Sequence, residues 1–509
     1  MIWLRRILAI PLIIIFVLIF ILVLFLTHLS GTVGSAGFYN GQMSGAHVYE
    51  WVYDNLTPAV LDETGVESPT DFPIDTPQLK EDIVVVAREA FPPDWLQGTF
   101  ENATRQIVPY VMGDKDSFTI TIAVQSRIDP MADGIKGVVD KHKEEIYDYV
   151  TDELIVPAMT EELGLGAALP YGITLTDEEI SEFVADAMPQ DWAIGQFKSI
   201  IDSLAAYLKG DVNNLNMNVN LTEVKSRAAT ALTTLADEKL EAAFNSLPSC
   251  DLATFATELA NLPPNTLPSC RPTGAGYDYN YFKQALEDHL DMTLAEAVDQ
   301  NVIDLIPNSY RFDDAQLREA LGEDMAKSLD DARKFIVVDQ GRITDQDLRD
   351  SDNGSNDADT ESFDNARHTI HTIKTWLWAL WLVSILLLVA IGFLCGRNWK
   401  SRLLWPLSVL LVTCLILIIV VAVARTFVPD RIVDRPEGSD ATQVGILMAD
   451  KADEIAHNAI NAIVWGLELK LILFIVLSGL AIVGVIAWAI VDRRRRQRLT
   501  QYDPTGPPA

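Results

Sequence analysis

The sequence predicts an α+β exported domain built from a tandem α-α-β-α duplication, together with four transmembrane α-helices. Three observations predict it. Four apolar runs of about twenty residues carry no charge at their centres, which is the length needed to cross a hydrocarbon core of ~30 Å. The chain matches itself at an offset of 97 residues. Its basic residues gather beside the apolar runs although the 509-residue chain carries a formal charge of −32.

Residues 1–6 form a short cytoplasmic N-terminus, and 7–27 the first span, read as an uncleaved signal anchor because secretory apolar regions are shorter. Gly34, Ser35 and Ala36 supply the small residues that signal-peptide cleavage would need. The other spans are 375–395, 403–425 and 467–491, with Trp376, Trp378 and Trp381 as an interfacial aromatic belt at the start of the second. Arg5 and Arg6, then Arg397, Lys400 and Arg402 in the loop 396–402, then Arg493 to Arg496 and Arg498 in the tail 492–509 all fall on one side. The pieces on that side carry +8 and the rest of the chain −40, so both termini are expected in the cytoplasm and the acidic bulk outside a plasma membrane.

The self-match runs without gaps from residues 87–124 onto 184–221. It pairs Pro92, Asp94, Trp95, Gly98, Phe100, Tyr110, Gly113 and Asp114 with Pro189, Asp191, Trp192, Gly195, Phe197, Tyr207, Gly210 and Asp211, and also Ala90 with Ala187. The exported repeats are set at 76–150 and 171–247, after a membrane-proximal helical segment 28–75. Thr76-Pro77 and the capping box Thr176–Glu179 signal the opening helix of each copy. Pro-x-Asp-Trp then starts a second helix, with the Asp as an N-terminal cap, and Gly113 or Gly210 ends it. Phe118 to Val124 and Leu215 to Leu221 alternate apolar and polar residues, the pattern of a half-buried strand. Third helices follow over about 132–150 and 224–246. Since one strand cannot form a sheet alone, the two copies are expected to pair strand to strand.

Cys250 and Cys270, in the loop 248–272, are expected to form a disulfide outside the cytoplasm. Residues 273–345 read as a helical C-terminal part, with amphipathic helices over 280–300 and 313–334 and a strand-like Phe335 to Val338. Residues 346–372 read as an acidic linker. In the loop 426–466, Val444, Met448, Ala452, Ile455, Ala459 and Ile463 recur at helical spacing, and the stripe Val48, Trp51, Val52 and Leu56 is a candidate partner.

Acidic composition argues against a nucleic-acid partner, which would need clustered exposed Lys and Arg. No phosphate-binding loop, nucleophile elbow, zinc-protease helix or CxxC sequence is present between the first two spans, so no catalytic residue, cofactor or metal site is expected. His368 and His371 form an i, i+3 pair that reads as solvated. The expected function is non-enzymatic binding of a protein or envelope ligand on the exported side, with the lipid bilayer as a partner and self-association left open. The alternatives are an accessory subunit of a transport or export system, which lacks charge at midplane, and an exported hydrolase.

Overall fold

The computed structural model describes residues 2–66, 74–161, 169–263, 266–301, 303–347, 357–429, 431–436 and 442–500. The chain is mostly helical, and among the described residues six short strands pair into three two-stranded ribbons. It divides into two units. The first comprises Met1–Thr64, Pro93–Ile122 and Arg342–Ala509, and the second Gly65–Pro92 and Ala123–Gly341.

Four helices of the first unit are long and apolar enough to cross a membrane: Ala9–Val33, Phe363–Cys395, Trp399–Arg425 and Gln443–Arg496. They suggest a membrane protein. Phe16, Phe20, Leu24, Ile391, Cys414 and Leu471 form the buried seam among them. Phe20 sets its ring edge-on to Trp381 at 6.0 Å and to Phe474 at 5.8 Å, an arrangement that aromatic quadrupoles favour. The Trp381 indole N–H donates to Thr27 Oγ1 at 3.0 Å, so its polar edge is satisfied. His28, which is buried, accepts at Nδ1 from Lys470 Nζ at 3.0 Å and therefore donates from Nε2 to the Ile463 carbonyl at 2.6 Å. A Cβ on Gly466 would come within 2.8 Å of that imidazole, which explains the small residue there.

Above the fourth apolar stretch the helix Gln443–Thr500 is unbroken through the expected stripe. Lys451 stands over the Trp51 ring at 5.7 Å, and the Val444 N–H donates to Glu63 Oε2 at 3.1 Å, so the candidate partner segment does pack there. The helix bearing the second apolar stretch begins at Asp357, so residues 357–372 of the expected linker are helical instead. Residues 348–356 lie outside the described residues.

In the second unit, Ile180, Leu232, Leu240, Phe255, Phe282, Leu286 and Leu294 are fully buried in one core. Phe282 lies 5.1 Å from Phe244 and 5.8 Å from Phe255, centroid to centroid. Cys250 and Cys270 are disulfide-bonded, with Cα atoms 5.8 Å apart, and strands β3 (Ser249–Cys250) and β4 (Arg271–Pro272) run parallel at the bridge. The helix expected over 280–300 is two, Tyr279–Leu290 and Leu294–Asn301, because Asp291 turns left-handed at φ 54°. The one expected over 313–334 breaks at Gly322 into Asp314–Leu321 and Glu323–Arg333. Phe335 to Val338 are a helical turn, not a strand, because the helix simply continues through Lys334–Val338.

The strand pairing corrects the sequence expectation. Strand β1 (Thr119–Thr121) pairs antiparallel with β6 (Arg342–Thr344), and β2 (Met217–Asn220) with β5 (Ser309–Phe312). The two expected strands do not pair with each other; each meets a strand from the stretch read as helical. In the first of the two segments expected as repeats, the opening helix is Thr76–Ala90, capped by Asp75 accepting from Gln78, so the cap is one residue earlier than expected. The capping box at Thr176 and Glu179 opens Asp177–Ala187 as expected. Asp94 and Asp191 sit inside the first turns of Pro93–Val111 and Gln190–Lys209, where they favour the helix dipole without capping it.

Candidate functional site

The matched segments carry matched geometry at their second helices. Tyr110 and Tyr207 are both buried in the last turn. Gly113 and Gly210 follow at φ 72° and 81°, the left-handed ending that lets the chain leave a helix. The Gly113 N–H donates to the Tyr110 carbonyl at 3.0 Å and the Asp114 N–H to the Pro109 carbonyl at 2.8 Å. Gly210 and Asp211 repeat these bonds to Tyr207 and Ala206, both at 3.0 Å.

An arginine closes each end. Arg367 lays its guanidinium 4.0 Å from the Tyr110 ring centroid while donating to the carbonyls of Tyr110 and Lys115, both at 2.8 Å. Arg333 lies 4.7 Å from the Tyr207 ring and donates to the carbonyls of Tyr207 at 3.0 Å and Val212 at 3.1 Å. The planar fork suits this double task, stacking on an aromatic face while adding a second donor to the tyrosine carbonyl and bonding a carbonyl of the turn that follows the helix. Beneath each clamp lies a small apolar cluster. Tyr110, Phe118 and Ile120 gather Ile107 and Ile343, and Tyr207, Leu215 and Met217 gather Leu204 and Phe312. In the second cluster Tyr207 also donates its hydroxyl to Asp330 at 2.9 Å. Arg318, paired with Asp330, holds that carboxyl below the usual range. The rows Thr119 with Thr121 and Asn216, Asn218 with Asn220 are exposed, as the alternation predicts.

At positions 97 residues apart, the opening helix of each matched segment makes a carboxylate contact to a basic side chain further along the chain. Asp82, almost fully buried, meets His142 Nε2 and Lys141 Nζ, each at 2.7 Å. Ninety-seven residues on, Glu179 pairs with Lys239 in a more open setting. Lys239 and the Thr176 N–H hold the Glu179 carboxyl low. Glu179 also lines a groove of ≈ 490 Å³, together with Glu182, Asp186, Glu238, Phe183, Leu235 and Arg227. Its chemistry suits a cationic ligand with an apolar portion.

Trp95 and Trp192 are half-buried, and Trp192 packs on the core of the second unit. Gly98, Gly195, Phe100 and Phe197 lie along the second helices, with Phe100 6.2 Å from Tyr49. Pro92 and Pro189 stand just before those helices. His371 and His368 are exposed, and no group of three or more His, Cys, Asp or Glu among the described residues is arranged to hold a metal. Sequence reasoning missed Arg333, Arg367, Asp82 and His142. The ion-pair positions were legible at the same 97-residue offset, but acid against acid and base against base are not identities and drew no notice. No family model matches the chain, and no curated protein or solved structure matches it.

Proposed function

We propose that this is a membrane protein whose large acidic domain, built from a tandem duplication, faces away from the cytoplasm and binds a protein or envelope ligand without catalysing a reaction. The observation that carries this reading is the division of charge along a chain with four helices able to cross a membrane. The stretches joined to the basic clusters carry +8, and everything else −40. Under this topology residues 28–372 and 426–466 are exported, the first apolar helix is a signal anchor, and the disulfide forms in an oxidising compartment.

Support for the duplication comes from equal helix endings at Gly113 and Gly210 and from ion pairs at positions 97 residues apart. Support for ligand binding comes from the acidic groove between Asp177–Ala187 and Thr222–Ser246. A ligand presenting Lys or Arg gains there from carboxylates gathered on low-dielectric walls.

Native mass spectrometry of the full-length protein, extracted gently from its own membrane, tests the reading. A stoichiometric co-purifying protein or envelope component, lost in a Glu182→Lys/Asp186→Lys variant, is the expected result. A partner-free protein, or a partner retained unchanged by that variant, contradicts it.

A further inference from the structure

A second, shorter internal match completes the first. Residues 309–319 align on 340–350 at an offset of 31, with Arg311/Arg342, Asp314/Asp345, Leu317/Leu348 and Arg318/Arg349 identical. Residues 328–338 align on 362–372 at an offset of 34, with Ser328/Ser362, Asp330/Asp364, Ala332/Ala366, Arg333/Arg367 and Ile336/Ile370 identical. The two offsets differ by three residues, an insertion that falls between residues 350 and 362.

The same offsets carry the geometry. Ile120 stands opposite Ile343 and Thr121 opposite Arg342; shifted by 97 and 31 residues these become Met217 opposite Phe312 and Asn218 opposite Arg311, the observed register. Thr344 and Asp347 exchange reciprocal backbone-to-side-chain bonds, as Asp313 and Gln316 do 31 residues earlier. A Cβ on Gly113 would lie 2.8 Å from His371 Cβ, and one on Gly210 would lie 2.9 Å from Val337 Cγ1, positions 34 residues apart. The clamping arginines obey the same offset. Four independent contacts thus follow two offsets that the sequence match sets without reference to them.

We infer that the chain contains one composite module twice, each assembled from a copy of both duplicated segments. Arg333 and Arg367 are its equivalent clamps, and the copy closed by Arg367 is a device for gripping the second apolar helix. That helix, Asp357–Cys395, is continuous from the clamp into the apolar stretch. Arg367 lies nine residues before Trp376, roughly 13 Å along the axis at the usual helical rise. The guanidinium ties the end of Pro93–Val111 and its following turn to this helix, so displacement of the ribbon β1–β6 moves the helix with it. In the other copy the clamped helix ends at Val338, and Arg333 closes a module with no such extension. This inference does not depend on ligand binding; it concerns how the chain holds its own helices.

Hydrogen exchange on the full-length protein in detergent tests it with Arg367→Ala and Arg333→Ala. Arg367→Ala is expected to speed exchange at residues 110–121 and 342–344 by about tenfold or more, the scale set by losing hydrogen bonds from a charged donor, and to leave 207–220 and 309–312 at wild-type rates. Arg333→Ala is expected to do the reverse. Arg367→Lys falls between, since an ammonium reaches a carbonyl but cannot stack as a planar fork, and it supplies the same contrast should the alanine variant fail to fold. Exchange that rises alike in both ribbons for either arginine, or in neither, overturns the inference.

Discussion

The ribbon beside Tyr110 and the ribbon beside Tyr207 share a register, a glycine ending and an arginine, yet their surroundings differ. His371 sits over Gly113 where Val337 sits over Gly210. The helix under Arg367 runs on for a further four turns and more of apolar sequence, while the helix under Arg333 stops. Difference at the periphery beside likeness at the clamp indicates which contacts the local fold requires. The arginine grips backbone carbonyls of the helix end and its following turn, which are the same groups whatever the neighbouring side chains are, so it is common to both while packing partners differ.

The ion pairs sharpen this comparison most. Asp82 and His142 each leave 5% of their side chains exposed, whereas Glu179 and Lys239 leave 26% and 30%. Removing the Asp82 carboxylate leaves a buried imidazole N–H without its acceptor, at a cost of about 1–3 kcal/mol, while opening a solvated pair costs about 0–1 kcal/mol. Asp82→Ala should therefore destabilise strongly and Glu179→Ala weakly in denaturant titrations of the second unit's unfolding. Equal losses would break the distinction. The double variant Asp82→Glu/His142→Lys, which imports the later pair into the earlier position, should recover part of the stability that Asp82→Ala loses.

The disulfide marks a difference of another kind, since it lies in one unit only. Cys250→Ser should cost about 3 kcal/mol in the chain-entropy account for a loop of this length. Its signature is faster proteolysis of residues 248–301 with no change around Tyr110 and Arg367. Next in size, Gly113→Ala and Gly210→Ala each force a Cβ into a left-handed position, at about 1–2 kcal/mol, besides the close approach to His371 or Val337. Comparable losses of melting temperature in both would sharpen the equivalence, and a neutral Gly210→Ala would break it.

The smallest effect concerns acid. Arg318 keeps the Asp330 carboxyl below its ordinary value, so its contribution to folding is complete above about pH 4 and is lost as the pH falls through the depressed value. Exchange at residues 309–312 should rise below that pH in the wild type. In Asp330→Asn it should already be raised at neutral pH and change less on acidification.

Much of this was legible in the sequence for physical reasons that can be named. The apolar stretches are long and uncharged at their centres, so composition alone reveals them, and the rare Trp and Gly of the matched segments make a self-match conspicuous. The capping box at Thr176 and the bridge between Cys250 and Cys270 follow from local or strongly constrained chemistry. The strand partners did not. Arg342 to Thr344 and Ser309 to Phe312 are too short for an alternating pattern to stand out, and a strand three or four residues long is defined by what it pairs with. The clamps were hidden because Arg333 and Arg367 lie more than 100 residues beyond the tyrosines they cover. Side-chain stacking over that separation leaves no local periodicity.

Cysteine cross-linking across the ribbons is the most direct test of the central claim that the same module is built twice. Thr121→Cys with Arg342→Cys, and Asn218→Cys with Arg311→Cys, place thiols at corresponding opposed positions in the two registers. Under mild oxidation of the full-length protein, both pairs should form intramolecular disulfides rapidly and to similar extents. Failure of either pair, or preferential bonding in a Thr121→Cys/Asn218→Cys variant that joins β1 to β2, would contradict the two-module account.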